Sequence, residues 1–154
     1  MRIFLIVLMS TMCLSSFSQE LFIDEVDPFT DQITRRTTFK NGLGKDTDKI
    51  NLAGYREGDD FFLLVGTYIG LECGGMKGSS ITFLMDDKSK ITLSDVRIDI
   101  DCENKLDFYK FSPKELHSKT VTAIKLVRNG KYGNFIFNEP YSLDNIIGLL
   151  VDGQ

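Results

Sequence analysis

The chain has 154 residues, 18 Lys and Arg against 22 Asp and Glu for a net charge of −4, one His, three Cys and no Trp. That length suits one domain able to bury a sizeable core. The acidic balance argues against nucleic acid, whose binding needs concentrated Lys and Arg; the densest basic cluster, Arg35-Arg36 with Lys40, is small and reads as a solvated strand face.

Residues 1 to 18 read as a cleavable signal peptide. Arg2 supplies the positive start, Ile3 to Met9 an unbroken apolar run, and Ser16 and Ser18 the small residues before a cut at Gln19. A transmembrane helix needs about 20 apolar residues, and Ser10, Thr11, Ser15 and Ser16 interrupt this run. Cys13 is not placed for lipidation, because Met12 fills the slot that wants a small residue. The expected product is exported, periplasmic or secreted, without a membrane span. It is a single β-rich domain over 19–154, with 17 Lys and Arg against 22 Asp and Glu for a net charge of −5.

From there, short alternating or apolar stretches recur. They are Leu21 to Val26, Ile33 to Phe39, Lys49 to Tyr55, Asp60 to Ile69, Ser80 to Met85, Lys90 to Leu93, Val96 to Asp101, Leu106 to Phe111, Val121 to Arg128 and Tyr132 to Phe137. Their Val, Ile, Thr, Phe and Tyr content, and the turn residues between them, predict a mainly β fold: an antiparallel sandwich or barrel-like sheet. Asn129-Gly130 accepts the positive φ angles of a two-residue hairpin, and a second hairpin is expected across Asp86-Asp87-Lys88-Ser89.

Two helices break the pattern. Ser112-Pro113 followed by Glu115 predicts a short helix opened by a capping box. After Pro140, Ser142 is expected to cap a C-terminal helix whose stripe of Leu143, Ile146, Ile147 and Leu150 covers one end or face of the sheet.

Cys73 ends an apolar face that runs through Phe61, Leu63, Val65, Ile69 and Leu71. Cys102 ends another, through Val96, Ile98 and Ile100. Both sulfurs are expected to point inward. In an oxidising compartment the simplest outcome is one core disulfide worth about 3 to 4 kcal/mol; two buried thiols or half a metal site are the alternatives. A metal site needs more ligands than these cysteines and the lone His117 offer.

Catalytic grammar is thin. His117 has no nucleophile signature beside it and reads as a surface residue. The glycines from Gly70 to Gly78 lack the order of a phosphate loop, since Lys77 precedes Gly78. Carboxylates are the resource in excess: Asp24, Glu25, Asp27 and Asp31 cluster near the start, Asp86 and Asp87 share a turn, and Asp99 and Asp101 share a strand face. Solvated charge is the preferred reading, with weak calcium binding the only cofactor these clusters suggest. On the other face of the strand that leads to Cys73, Tyr68 follows Phe62 and Leu64, which suggests a second packed layer. Tyr68, Asp99 and Asp101 are the candidate ligand contacts.

From Cys73 onward the chain resembles a family of small secreted β-rich proteins of Bacteroidota. The carriers are Cys73, Lys77-Gly78-Ser79, Phe83 with the Asp86-Asp87 turn and Lys90, Asp101-Cys102 and Ile124-Lys125-Leu126. The family pattern has Gly in the Asp turn, where this chain has Lys88. The resemblance implies a disulfide, a hairpin and core strands, and no activity. The expected role is a non-enzymatic binding or accessory protein of the cell envelope, with another envelope or secreted protein as partner. A periplasmic inhibitor or immunity protein, and a carboxylate-dependent hydrolase of extracellular polymer, are the alternatives.

Overall fold

A computed structural model describes residues 19–44, 49–67, 79–94, 96–97, 106–128 and 130–153. The leader, Tyr68, Cys73, Asp99, Asp101 and Cys102 lie outside the described residues, and with them the disulfide and all three candidate ligand contacts.

The elements in chain order are β1 (Leu21–Val26), β2 (Ile33–Thr37), β3 (Lys40–Leu43), β4 (Ile50–Glu57), β5 (Asp60–Gly66), β6 (Ser80–Met85), β7 (Lys90–Ser94), β8 (Val96–Arg97), β9 (Leu106–Phe111), α1 (Pro113–Leu116), β10 (Thr120–Arg128), β11 (Lys131–Ser142) and α2 (Asp144–Asp152). Every pairing among the described residues is antiparallel. A seven-stranded sheet has the order β1-β2-β4-β5-β9-β8, with β3 also on β4, and a four-stranded sheet has the order β11-β10-β6-β7. The expected β-sandwich with a short helix and a C-terminal helix is the architecture found.

Period-two alternation builds the core. Ile81, Phe83 and Met85 of β6 and Ile124 and Leu126 of β10 meet Leu63 and Val65 of β5 and Tyr109 and Phe111 of β9 between the sheets. Strand β5 departs from simple alternation, because Phe62 and Leu64 on its other face are also buried.

Both predicted hairpins are present. Arg128 pairs with Lys131 beside Gly130 at φ 73°, and β6 pairs with β7 across the Asp turn. In that turn Lys88 takes φ 67°, a left-handed position that favours glycine.

Two helix starts differ from expectation. Ser112 makes no side-chain cap; its main-chain oxygen accepts the Glu115 N–H at 2.9 Å, which suffices for a helix of a single turn. Leu143, not Ser142, is the N-cap of α2, while the Ser142 hydroxyl accepts the Asp144 N–H at 3.2 Å. Strand β11 continues through Pro140, which an edge strand tolerates, and a register break between Val121 and Ala123 accommodates the extra residues.

The predicted stripe of α2 is buried, and the helix lies against β2 and β4. Gly54 makes that approach possible, since a Cβ there would meet Ile146 Cγ2 at 2.5 Å and Leu150 Cδ1 at 2.7 Å.

Candidate functional site

The pleat divides the Arg35-Arg36 cluster between two faces of the seven-stranded sheet. Arg35 lies on the core side, opposite Arg56 on one neighbour and Asp24 on the other. Both arginines donate to the last carbonyls of α2: Arg35 Nη1 reaches Val151 O at 2.8 Å and Arg56 Nη1 reaches Leu150 O at 3.2 Å. The negative end of the helix offsets the repulsion of two cations placed face to face. Asp24 adds an ion pair to Arg35 at 2.8 Å.

Arg36 turns the other way. In register across four strands, Ile23 faces Arg36, Arg36 faces Tyr55 and Tyr55 faces Phe62, while Leu64 faces Phe108 on the next pair. With Glu57 these side chains line a cleft of about 190 Å³. The Tyr55 ring lies 6.1 Å from Phe62 and 6.1 Å from Phe108, the latter edge-on at 88°, and Phe62 lies 6.4 Å from Phe108. These are the separations of interacting aromatic pairs. None of the three rings belongs to the core cluster between the sheets.

A bulge in β1 completes the rim. The register slips between Leu21 and Ile23, which leaves Phe22 beside Ile23 near the same guanidinium. The Phe22 ring stands 5.7 Å and the Phe39 ring 5.6 Å from Arg36 Cζ. Phe22 is 68% exposed, so this end of the groove is open to solvent.

Phe62 and Leu64, which the sequence groups with Tyr68, thus have Tyr55 and Phe108 as cross-strand neighbours on this face, while Tyr68 itself lies outside the described residues. The sequence did not single out Tyr55, Phe108 or Arg36 as a group. Their meeting depends on strand order, with β4 between β2 and β5, which periodicity within one segment does not contain.

A second cleft, of about 270 Å³, lies between α1 and α2 and is lined by Pro113, His117, Asp144, Ile147 and Gly148 among others. His117 Nδ1 lies 3.0 Å from Asp144 Oδ1, which also accepts the Ser118 N–H at 2.6 Å. Burial acts to raise the Asp144 pKa, but the Ser118 N–H, the His117 ring and the Ser142 hydroxyl together hold it below the usual range. The pair ties the end of α1 to the start of α2.

The acidic clusters are used locally. Asp27 Oδ1 accepts the Phe29 N–H at 2.8 Å, which holds that carboxyl below its ordinary pKa, and Asp87 is held below its own by the Ser89 hydroxyl and then by the Ser89 N–H, which its Oδ1 accepts at 2.8 Å. Among the described residues no group of three or more His, Cys, Asp or Glu side chains is placed to hold a metal ion. No helix among them is long and apolar enough to cross a membrane.

One further cluster lies inside the sandwich. The Asp107 carboxylate on β9 accepts from Arg128 on β10 and, at 3.2 Å, from the Tyr109 hydroxyl. Ser79 Oγ stands 2.7 Å from that hydroxyl and donates to Val127 O at 3.0 Å. Burial and the neighbouring Asp107 charge push the Tyr109 pKa well above its ordinary value, which keeps the hydroxyl a donor. This network is closed to solvent and structural. Comparison of the chain with protein-family models, curated proteins and solved structures finds no match.

Proposed function

We propose that the chain is an exported, non-enzymatic binding domain of the cell envelope, and that the ring-lined groove is its ligand surface. The observation that carries this reading is the cluster of Tyr55, Phe62 and Phe108 on the side of the sheet turned away from the core, beside a cleft. A sheet that needed only one packed face would carry polar residues there. Aromatic side chains around a concavity, with a few charged groups at its edge, are the usual composition of a ligand site. The signal-peptide pattern of the leader supports the compartment.

A neutral fluorophore, N-phenyl-1-naphthylamine, tests the groove. Saturable binding is expected, weakened about tenfold by Phe108→Ala and unchanged by Tyr132→Ala, a ring 68% exposed on the four-stranded sheet. Equal titrations for all three proteins would remove the groove as the ligand surface. Intact mass of the exported protein tests the compartment: a chain starting at Gln19 and lighter by one pair of hydrogens is expected. A retained leader, or free thiols at Cys73 and Cys102, would overturn that part.

A further inference from the structure

We propose that the groove binds a small amphipathic anion, with its apolar body over Tyr55, Phe62 and Phe108 and its carboxylate on the Arg36 guanidinium. This rests on the groove being the ligand surface and adds the chemistry of what enters it.

The inference comes from how the arginines are used. Among the arginines whose side chains are described, Arg35 bonds to Asp24 and to helix carbonyls, Arg56 to Gly58 O and helix carbonyls, and Arg128 to Asp107. Arg36 differs. Among the described residues its guanidinium faces only the rings of Phe22 and Phe39, at 5.7 and 5.6 Å, and no oxygen accepts from it. Ring contact draws on the positive charge but leaves the five N–H donors of a guanidinium unspent. The side chain is half-buried, so water reaches these donors incompletely and an incoming carboxylate meets a partly desolvated fork.

Charge across the cleft sets the direction of the ligand. Glu57 lines the same cleft, and it lies two residues along β4 from Tyr55, the residue opposite Arg36. An anionic end is drawn to the Arg36 side and repelled from the Glu57 side. The volume of about 190 Å³ is roughly six waters' worth of space, enough for an eight-carbon chain or for the naphthyl group of the fluorophore with its phenyl ring towards the open end. An eight-carbon acid is a suitable probe: its chain lies along the rings and its carboxylate reaches the rim beside Phe22.

The experiment is displacement of N-phenyl-1-naphthylamine from the full exported chain by octanoate, 1-octanol and octylammonium at neutral pH, with direct calorimetry of octanoate alongside. Octanoate is expected to displace at a concentration about tenfold below either competitor. Arg36→Gln is expected to abolish that preference and Arg36→Lys to keep part of it, with circular dichroism and a urea midpoint showing that both variants fold. Equal displacement by the three probes, or a preference that survives in Arg36→Gln, overturns the anion while leaving the groove as a binding surface. A preference for octylammonium overturns it too and makes Glu57 the determinant. If the fluorophore does not bind the wild-type groove, the functional reading fails, and calorimetry decides the inference separately: no saturable octanoate heat overturns it.

Discussion

Asp107 and Arg128 form an ion pair across the two sheets in which both side chains are fully buried, with Arg128 Nε 2.9 Å from Asp107 Oδ2. Each ends the inward face of an otherwise apolar strand: Asp107 precedes Tyr109 and Phe111 on β9, and Arg128 follows Ile124 and Leu126 on β10. Burial pushes the Asp107 carboxyl above its ordinary pKa against the pull of Arg128 and Tyr109. Among the described residues its Oδ1 has no hydrogen-bond partner. The pair thus carries an uncompensated desolvation cost, and its removal as a pair should differ from its rupture. Asp107→Asn removes the carboxylate charge that faces the buried Arg128 guanidinium and is expected to cost about 3 to 5 kcal/mol in urea unfolding. Asp107→Leu combined with Arg128→Met should recover most of that loss. A double variant as unstable as the single one would place the stability in the pair itself.

Two glycines near α2 should respond in opposite directions to the same substitution. Gly54→Ala drives a methyl into Ile146 and Leu150, where the helix meets β4. Overpacking of this kind costs about 1 to 3 kcal/mol. Gly148 lies within α2 and a Cβ there meets nothing within 4 Å. Gly148→Ala should therefore stabilise by roughly 0.8 to 1 kcal/mol, the helix-propensity difference. Thermal melts of the two variants, shifted to opposite sides of wild type, are the check.

Most elements were legible because alternation, Asn129-Gly130 and the stripe of α2 are local signals, whereas β3, four residues with Asn41 and Gly42 at its centre, carries no such signal and was not expected. Where the structure departs from the sequence reading, a partner distant in the chain decides. Phe62 and Leu64 were placed on an outer layer from β5 alone, but Tyr55 and Phe108 join them only because β4 and β9 flank β5. Arg35 and Arg36 read as one basic cluster and serve opposite faces, since adjacent residues on a strand point apart. Asp107 and Arg128 each left a visible trace, a charge at an apolar period, yet neither strand names the other. Lys88 at φ 67° shows turn geometry prevailing over residue preference.

The link between α1 and α2 should fade in acid. Asp144 has its pKa lowered in the folded chain, so its contribution is present above the ordinary value of about 3.8 and is lost as pH falls through the lower folded value. Asp144→Ala removes the acceptor of the Ser118 N–H and the partner of His117. A loss of about 1 kcal/mol is expected at pH 6, by analogy with removal of a capping side chain. Urea midpoints of variant and wild type should stay apart above the ordinary carboxyl value of 3.8 and converge as the pH is taken progressively below it. A difference constant through that descent would assign the effect to packing.

Gly153 and Arg35 should be energetically coupled. Gly153 closes α2 in the left-handed region at φ 73°, its N–H bonded to Leu149 O at 3.1 Å. A Cβ at that position would also lie 2.6 Å from Arg35 Nη2. Gly153→Ala thus meets two costs: about 1 kcal/mol for an L-residue in that conformation, and displacement of the guanidinium that caps Leu150 and Val151. Arg35→Ala alone loses the charged cap, about 1 kcal/mol. In the Arg35→Ala background the clash is gone and the cap already lost, so Gly153→Ala should cost only its backbone share. A double-mutant cycle by urea unfolding reads the difference. Strict additivity would mean that the Arg35 side chain swings aside without loss, and would remove it as a determinant of where the helix ends.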